Sequence, residues 1–211
     1  NDMVVVNTRN VFARNLVMVA DSDNNGTGII GDADLGNLDS NANINAIDTE
    51  VTFLAARSAT GIYVRELNGL TIDTATVAVR QVNFNSTDPT ATLTLEDLTT
   101  TSNGPIKLQS VNGNIVVNPG ALGNPGISAN GTGDVLLQTL TTGSITISGS
   151  IVSGSGDISV RSVASITQTA NISTSGGDVF VFAGNNITML GAAQIGSTGG
   201  NVLLVAGTGS I

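Results

Sequence analysis

The chain has 211 residues, enough to bury a core, and carries sixteen acids against seven bases for a net charge of −9, with no cysteine and no histidine. One lysine (Lys107) and six scattered arginines exclude the clustered basic surface that a nucleic-acid backbone requires, and the missing cysteines exclude disulfides, zinc–thiolate sites and a thiol nucleophile. Hydrophobic residues make up 40% but aromatic residues only 3%, and 26 glycines stand against four prolines, so the interior is built from small branched aliphatics between many tight turns, which suits strands better than helices.

Residues 1–50 read as an irregular N-terminal segment. Its opening, residues 1–12, is apolar at Val4, Val5, Val6, Val11 and Phe12 and is a candidate donor strand for another copy of the chain. The start at Asn1, without Met or a basic leader, and the finish inside a repeat at Gly209-Ser210-Ile211 suggest a piece of something longer. No apolar run approaches the roughly eighteen residues of a membrane helix, so membrane insertion is not expected. Residues 21–32 (DSDNNGTGIIGD) match calcium-loop spacing. Asp21, Asp23 and Asn25 would offer side-chain oxygens at positions 1, 3 and 5, and Gly26 supplies the turn at position 6. Thr27 would add a backbone carbonyl and Asp32 the closing acid. An Asx-rich surface turn held by its own hydrogen bonds is the alternative reading, since the closing acid is not the longer Glu and no helix flanks the loop.

Residues 51–211 read as one continuous solenoid. Val51–Leu54, Gly61–Arg65, Leu70–Ile72, Val77–Val82 and Thr92–Leu95 alternate as strands. Gly104-Pro105-Ile106-Lys107-Leu108 and Gly113-Asn114-Ile115-Val116-Val117 read as two strands of one coil, and residues 118–126 (NPGALGNPG) as an inserted loop. One phrase then recurs as Gly133-Asp134-Val135, Gly156-Asp157-Ile158, Gly177-Asp178-Val179 and Gly200-Asn201-Val202, at steps of 23, 21 and 23 residues. A second strand follows each time near Ile145, Ile166 and Ile187, and a third near Ile151, Ile172 and Ile195. Three short strands per turn of about 21–23 residues predict an all-β, right-handed parallel β-helix with three faces, whose coils gain stability only by stacking on neighbours. Strand alternation would aim Val135/Leu137, Ile158/Val160, Val179/Val181 and Val202/Leu204 inward, with the Asp or Asn before each strand at a corner.

The run from Glu50 to Glu66 (EVTFLAARSATGIYVRE), Gly69-Leu70-Thr71-Ile72, Asn103-Gly104-Pro105-Ile106-Lys107-Leu108 and the Gly-Asp-Val coils together resemble the giant filamentous-haemagglutinin-like surface proteins of bacteria. Over residues 40–211 that resemblance implies a right-handed parallel β-helix, export to the cell surface or medium, and adhesive or matrix roles.

No residues stand out for catalysis. A triad lacks its histidine. Parallel β-helices also house carbohydrate-active enzymes, for which Asp73, Asp88, Glu96 and Asp97, with Arg65 and Arg80, are the available carboxylates and bases, yet nothing in their spacing makes them converge. Asp134, Asp157 and Asp178 recur at the repeat interval and read as corner residues. Outward positions offer more: Leu136, Phe180, Phe182, Leu203 and Val205 form a candidate protein-contact patch, unless the alternation is slipped by one residue or a loop covers that face. The expected function is a non-enzymatic structural or adhesive segment, self-associating end to end or laterally into fibres or meeting surface glycans and matrix. A glycan-binding adhesin module and a β-helix enzyme are the alternatives. Calcium is the one cofactor the chain suggests.

Overall fold

The computed structural model describes residues 10–31 and 46–211. In chain order the strands are β1 (Val11–Val19), β2 (Ile29–Ile30), β3 (Ile47–Ser58), β4 (Gly61–Glu66), β5 (Leu70–Ile72), β6 (Ala75–Arg80), β7 (Thr90–Leu95), β8 (Leu98–Thr100), β9 (Ile106–Asn112), β10 (Ile115–Val117) and β11 (Ile127–Ala129). They continue as β12 (Val135–Thr142), β13 (Ile145–Ile147), β14 (Ile151–Ser153), β15 (Ile158–Ser162), β16 (Ile166–Gln168), β17 (Ile172–Thr174), β18 (Val179–Ala183), β19 (Ile187–Met189), β20 (Ile195–Ser197) and β21 (Val202–Ala206). Nineteen of them form one sheet that winds into a parallel β-helix.

Three faces result. Face one stacks β4, β9, β12, β15, β18 and β21. Face two stacks β5, β10, β13, β16 and β19, and face three stacks β8, β11, β14, β17 and β20. β3 crosses all three, its start pairing with β4, its middle with β5 and its end with β8. β1 lies parallel along β3, from Val11 opposite Thr49 to Val19 opposite Arg57.

Inward positions stack in unbroken columns. Ile106, Val135, Ile158 and Val179 form one, and Leu108, Leu137, Val160 and Val181 the next, all at most 1% exposed. Burying each such side chain contributes roughly 1.5–3 kcal/mol. The steps of 23, 21 and 23 residues between Val135, Ile158, Val179 and Val202 are those expected from the repeat.

The recurring Gly-Asp pair has a physical cause. A Cβ on Gly156, Gly177 or Gly200 would stand 2.2–2.3 Å from the carbonyl oxygen of the equivalent glycine one coil earlier, so only glycine fits. Those carbonyls are in turn bound by hydroxyls at the end of face three, buried in the first two cases and half-buried in the last: Ser153 Oγ donates to Gly133 O (2.8 Å), Thr174 Oγ1 to Gly156 O (2.9 Å) and Ser197 Oγ to Gly177 O (2.6 Å). The Asp beside each glycine sits at an exposed corner as expected. It serves not its own turn but the following coil: Asp134 accepts the N–H of Asp157, Asp157 that of Asp178, and Asp178 that of Asn201.

One expectation is corrected. The strands read near Val77–Val82 and Thr92–Leu95 are not part of a coil. They are β6 and β7, an antiparallel pair with Ala75 opposite Leu95 and Arg80 opposite Thr90, separate from the large sheet. Strand alternation has the same period of two in a hairpin and in a solenoid, so it could not tell the two apart. The chain leaves the coil after Ile72, runs through this hairpin and rejoins at Leu98.

Candidate functional site

Three places bear on function: the outward side of face one, the loop beginning at Asp21, and the corner from which the hairpin departs.

On face one the expected alternation holds. The residues flanking Leu136, Phe180 and Phe182 are buried, while these three are half-buried on the outer side and Val205 likewise; Leu203 is 56% exposed. The register aligns Leu136, Ser159, Phe180 and Leu203 in one outward column and Gln138, Arg161, Phe182 and Val205 in the other. From Ser159 and Arg161 onward both columns therefore turn apolar along the axis. The rings of Phe180 and Phe182 lie 6.5 Å apart, and the Arg161 guanidinium sits 5.8 Å over the Phe180 ring, a cation–π geometry. Beside them a shallow groove of about 160 Å³ is lined by Gln138, Thr139, Arg161, Ser162, Val163 and Phe182. Nearer the start of the same face, Lys107 sits 6.0 Å over the Tyr63 ring.

The loop beginning at Asp21 is ordered by its own side chains. Both Asp21 carboxylate oxygens accept the Gly26 N–H, at 3.0 and 3.1 Å, while Asn25 donates to Asp23 (2.8 Å) and accepts the Thr27 N–H (3.1 Å). Asp21 and Asn24 adopt left-handed backbone, at φ 69° and 55°. This is the bonding of an Asx-rich turn. Asp32, the closing acid of the calcium reading, lies outside the described residues, as do residues 1–9 of the candidate donor strand. Val11 and Phe12 of that segment belong to β1 and pair with the chain's own β3.

The third place corrects the expectation that the mid-chain acids stay apart. Ile72 and Leu98 align with Leu54 and Ala56 of β3, between which only Ala55 intervenes, so Asp73 and Asp97 share one corner. Asn118 Nδ2 donates to Asp73 (2.8 Å) and Asn124 Nδ2 to Glu96 (3.0 Å), both from the loop of the next coil, where a single 3-10 turn spans Ala121–Gly123. Asp97 lies between them, 1% exposed and at φ 57°, with neither carboxylate oxygen hydrogen-bonded. Burial, helped by the charges of Asp73 and Glu96, pushes its carboxyl up to about 7. The other candidates stay elsewhere: Arg80 pairs with Asp88 (2.9 Å) within the hairpin, and Arg65 with Asp48 (3.7 Å) on face one.

Glu66 is a further buried acid that motif reasoning missed. Its carboxylate accepts the Thr49 hydroxyl (2.6 Å) and the N–H groups of Val51 and Asn68 (3.1 Å each), tying β3 to β4. Burial raises its pKa, and those hydrogen bonds oppose the shift. Its position one residue beyond the outward Arg65 marked it as inward, but single-strand alternation does not show what it would bind. Among the described residues no three His, Cys, Asp or Glu side chains gather at a metal-binding point.

Comparison with known proteins found no matching family model, no matching curated protein and no matching solved structure.

Proposed function

We propose that this chain is a non-enzymatic structural and adhesive segment of a secreted bacterial surface or matrix protein, of the filamentous-haemagglutinin-like kind, which associates with further copies of itself. The observation that carries this reading is the outward apolar step on face one, where Ser159 gives way to Phe180 and Leu203, and Arg161 to Phe182 and Val205. Apolar outer surface of that kind serves contact with another chain. The axial ladders of glycine carbonyls, hydroxyls and corner carboxylates add the stiffness a shaft needs.

Electron microscopy of the chain at high concentration, with calcium and after chelation, tests it. Fibres or laterally bundled rods in the native chain, lost in the Phe182→Asp/Leu203→Asp double variant, are the expected result. Monodisperse short rods under both conditions would overturn self-association. A second reading, glycan contact, draws on the groove beside Phe182, which combines an aromatic ring, an amide, hydroxyls and a guanidinium. Binding to immobilised glycans that disappears in Arg161→Ala would favour it.

A further inference from the structure

We infer that the corner joining faces two and three holds a divalent cation, calcium by its chemistry, between the carboxylates of Asp73 and Asp97.

The coil geometry forces the two acids together. Asp73 donates its N–H to Leu54 O (3.4 Å) and Asp97 O accepts the Ala56 N–H (2.8 Å), so both are fastened to the same bend of β3 although a whole hairpin separates them in sequence. The loop of residues 118–126 then lies across them. It gives an amide to Asp73 and another to Glu96 but no hydrogen bond to the Asp97 carboxylate, against which Gly120 packs. A Cβ at Gly120 would stand 2.2 Å from Asp97 Oδ2, which shows how closely the carboxylate is aimed into that loop.

Asp97 is thus a buried acid facing other acids, with no hydrogen-bond donor on either oxygen and no ion pair to a base among the described residues. A buried carboxylate left that way is costly when ionised, and its unmet hydrogen bonds remain a cost when it is protonated. A cation removes both penalties. Each Asp73 oxygen accepts one hydrogen bond, from the Thr74 N–H (2.7 Å) and from Asn118, and keeps a second lone pair for a metal. Two carboxylates match a charge of +2. With no third acidic or imidazole ligand gathered there among the described residues, the remaining positions fall to carbonyl, amide and water oxygens. Calcium accepts that irregular, oxygen-only shell of six to eight ligands, whereas magnesium demands a near-ideal octahedron. Bound there, it would clamp the base of the hairpin and the 118–126 loop to the core.

The test is calcium titration of the whole, metal-stripped chain at pH 7.5, by calorimetry and by the shift in thermal midpoint, with magnesium in parallel. The expected result is a calcium-induced rise in midpoint that Asp21→Asn preserves. Asp97→Asn and Asp73→Asn, shown to be folded by circular dichroism, should weaken binding about tenfold or more and abolish the rise. Asp97→Asn relieves a costly buried acid and keeps its shape, so it is the variant best placed to fold. No response to millimolar calcium in the native chain would overturn the inference. So would a response that survives both variants, or one lost in Asp21→Asn, which assigns it to the other loop. Stabilisation on acidification through about pH 7, without any calcium effect, would assign the corner a proton and overturn the inference too.

Discussion

At the exposed corners an Asx side chain accepts the backbone N–H of the next coil, and its charge is incidental to that bond. Asp134, Asp157 and Asp178 stack like charge upon like charge, and Asn201 fills the same position at the end of the column with no loss of register. Asp157→Asn is therefore expected to leave the urea midpoint unchanged or raise it, whereas Asp157→Ala should destabilise by about 0.5–1.5 kcal/mol. Equal loss in both variants would show that the carboxylate itself matters. Asp97 makes the opposite case, a charge with nothing to accept. In chelator, its raised folded pKa means that the native chain keeps a proton which the unfolded chain, titrating near the model value of 3.8, has already released. The stability this proton lends is fully present below about pH 4, drains as pH rises to about 7 and is flat above. Glu66, also raised, acts in the same direction. Urea midpoints of the chelated chain between pH 4 and 8 should fall with pH, and Asp97→Asn should flatten most of that slope. An unchanged slope would remove Asp97 as its source.

Among the elements, the strands of the Gly-Asp phrase carry their reasons on their surface. β12, β15, β18 and β21 each place an aliphatic residue directly after the Asx corner, and alternation then determines which side chains enter the core. The glycine ahead of that corner is required by the carbonyl one coil away. Gly156→Ala should accordingly destabilise by about 1–3 kcal/mol through overpacking against backbone, with a tolerant result in equilibrium unfolding counting against the close approach to Gly133 O. The hairpin was legible as strands but not as an excursion, because its alternation matches that of the coils and only pairing direction separates them. The meeting of Asp73 with Asp97 was not legible at all: it depends on the chain returning to the corner it left, a closure made by β6 and β7 in three dimensions. Glu66 was hidden for a related reason, since its partners Thr49 and Val51 come from the preceding coil.

For the whole molecule, contacts run between neighbouring coils about 4.8 Å apart, so stability is a sum of local interfaces and not the property of one centre. Amide exchange should be slowest in β12 and β15, which have a coil on either side, and faster in β21, where Val202 is 42% and Leu203 56% exposed. Uniform protection from β12 to β21 would contradict a rod that opens coil by coil. Fibre formation should slow exchange in β21 relative to the isolated chain.

The bend joining faces two and three takes Ala55 alone in one coil, the β6–β7 hairpin in the next, residues 118–126 after that and Ser148-Gly149-Ser150 beyond. Through all four the inward side chains stay in step: Leu54, Ile72, Val117 and Ile147 on one side, Ala56, Leu98, Ile127 and Ile151 on the other. Length is thus free at the perimeter and rationed in the interior. Such a rod can acquire new outer loops, or lose old ones, as a bookshelf changes its books, while the spacing of its shelves is inherited untouched.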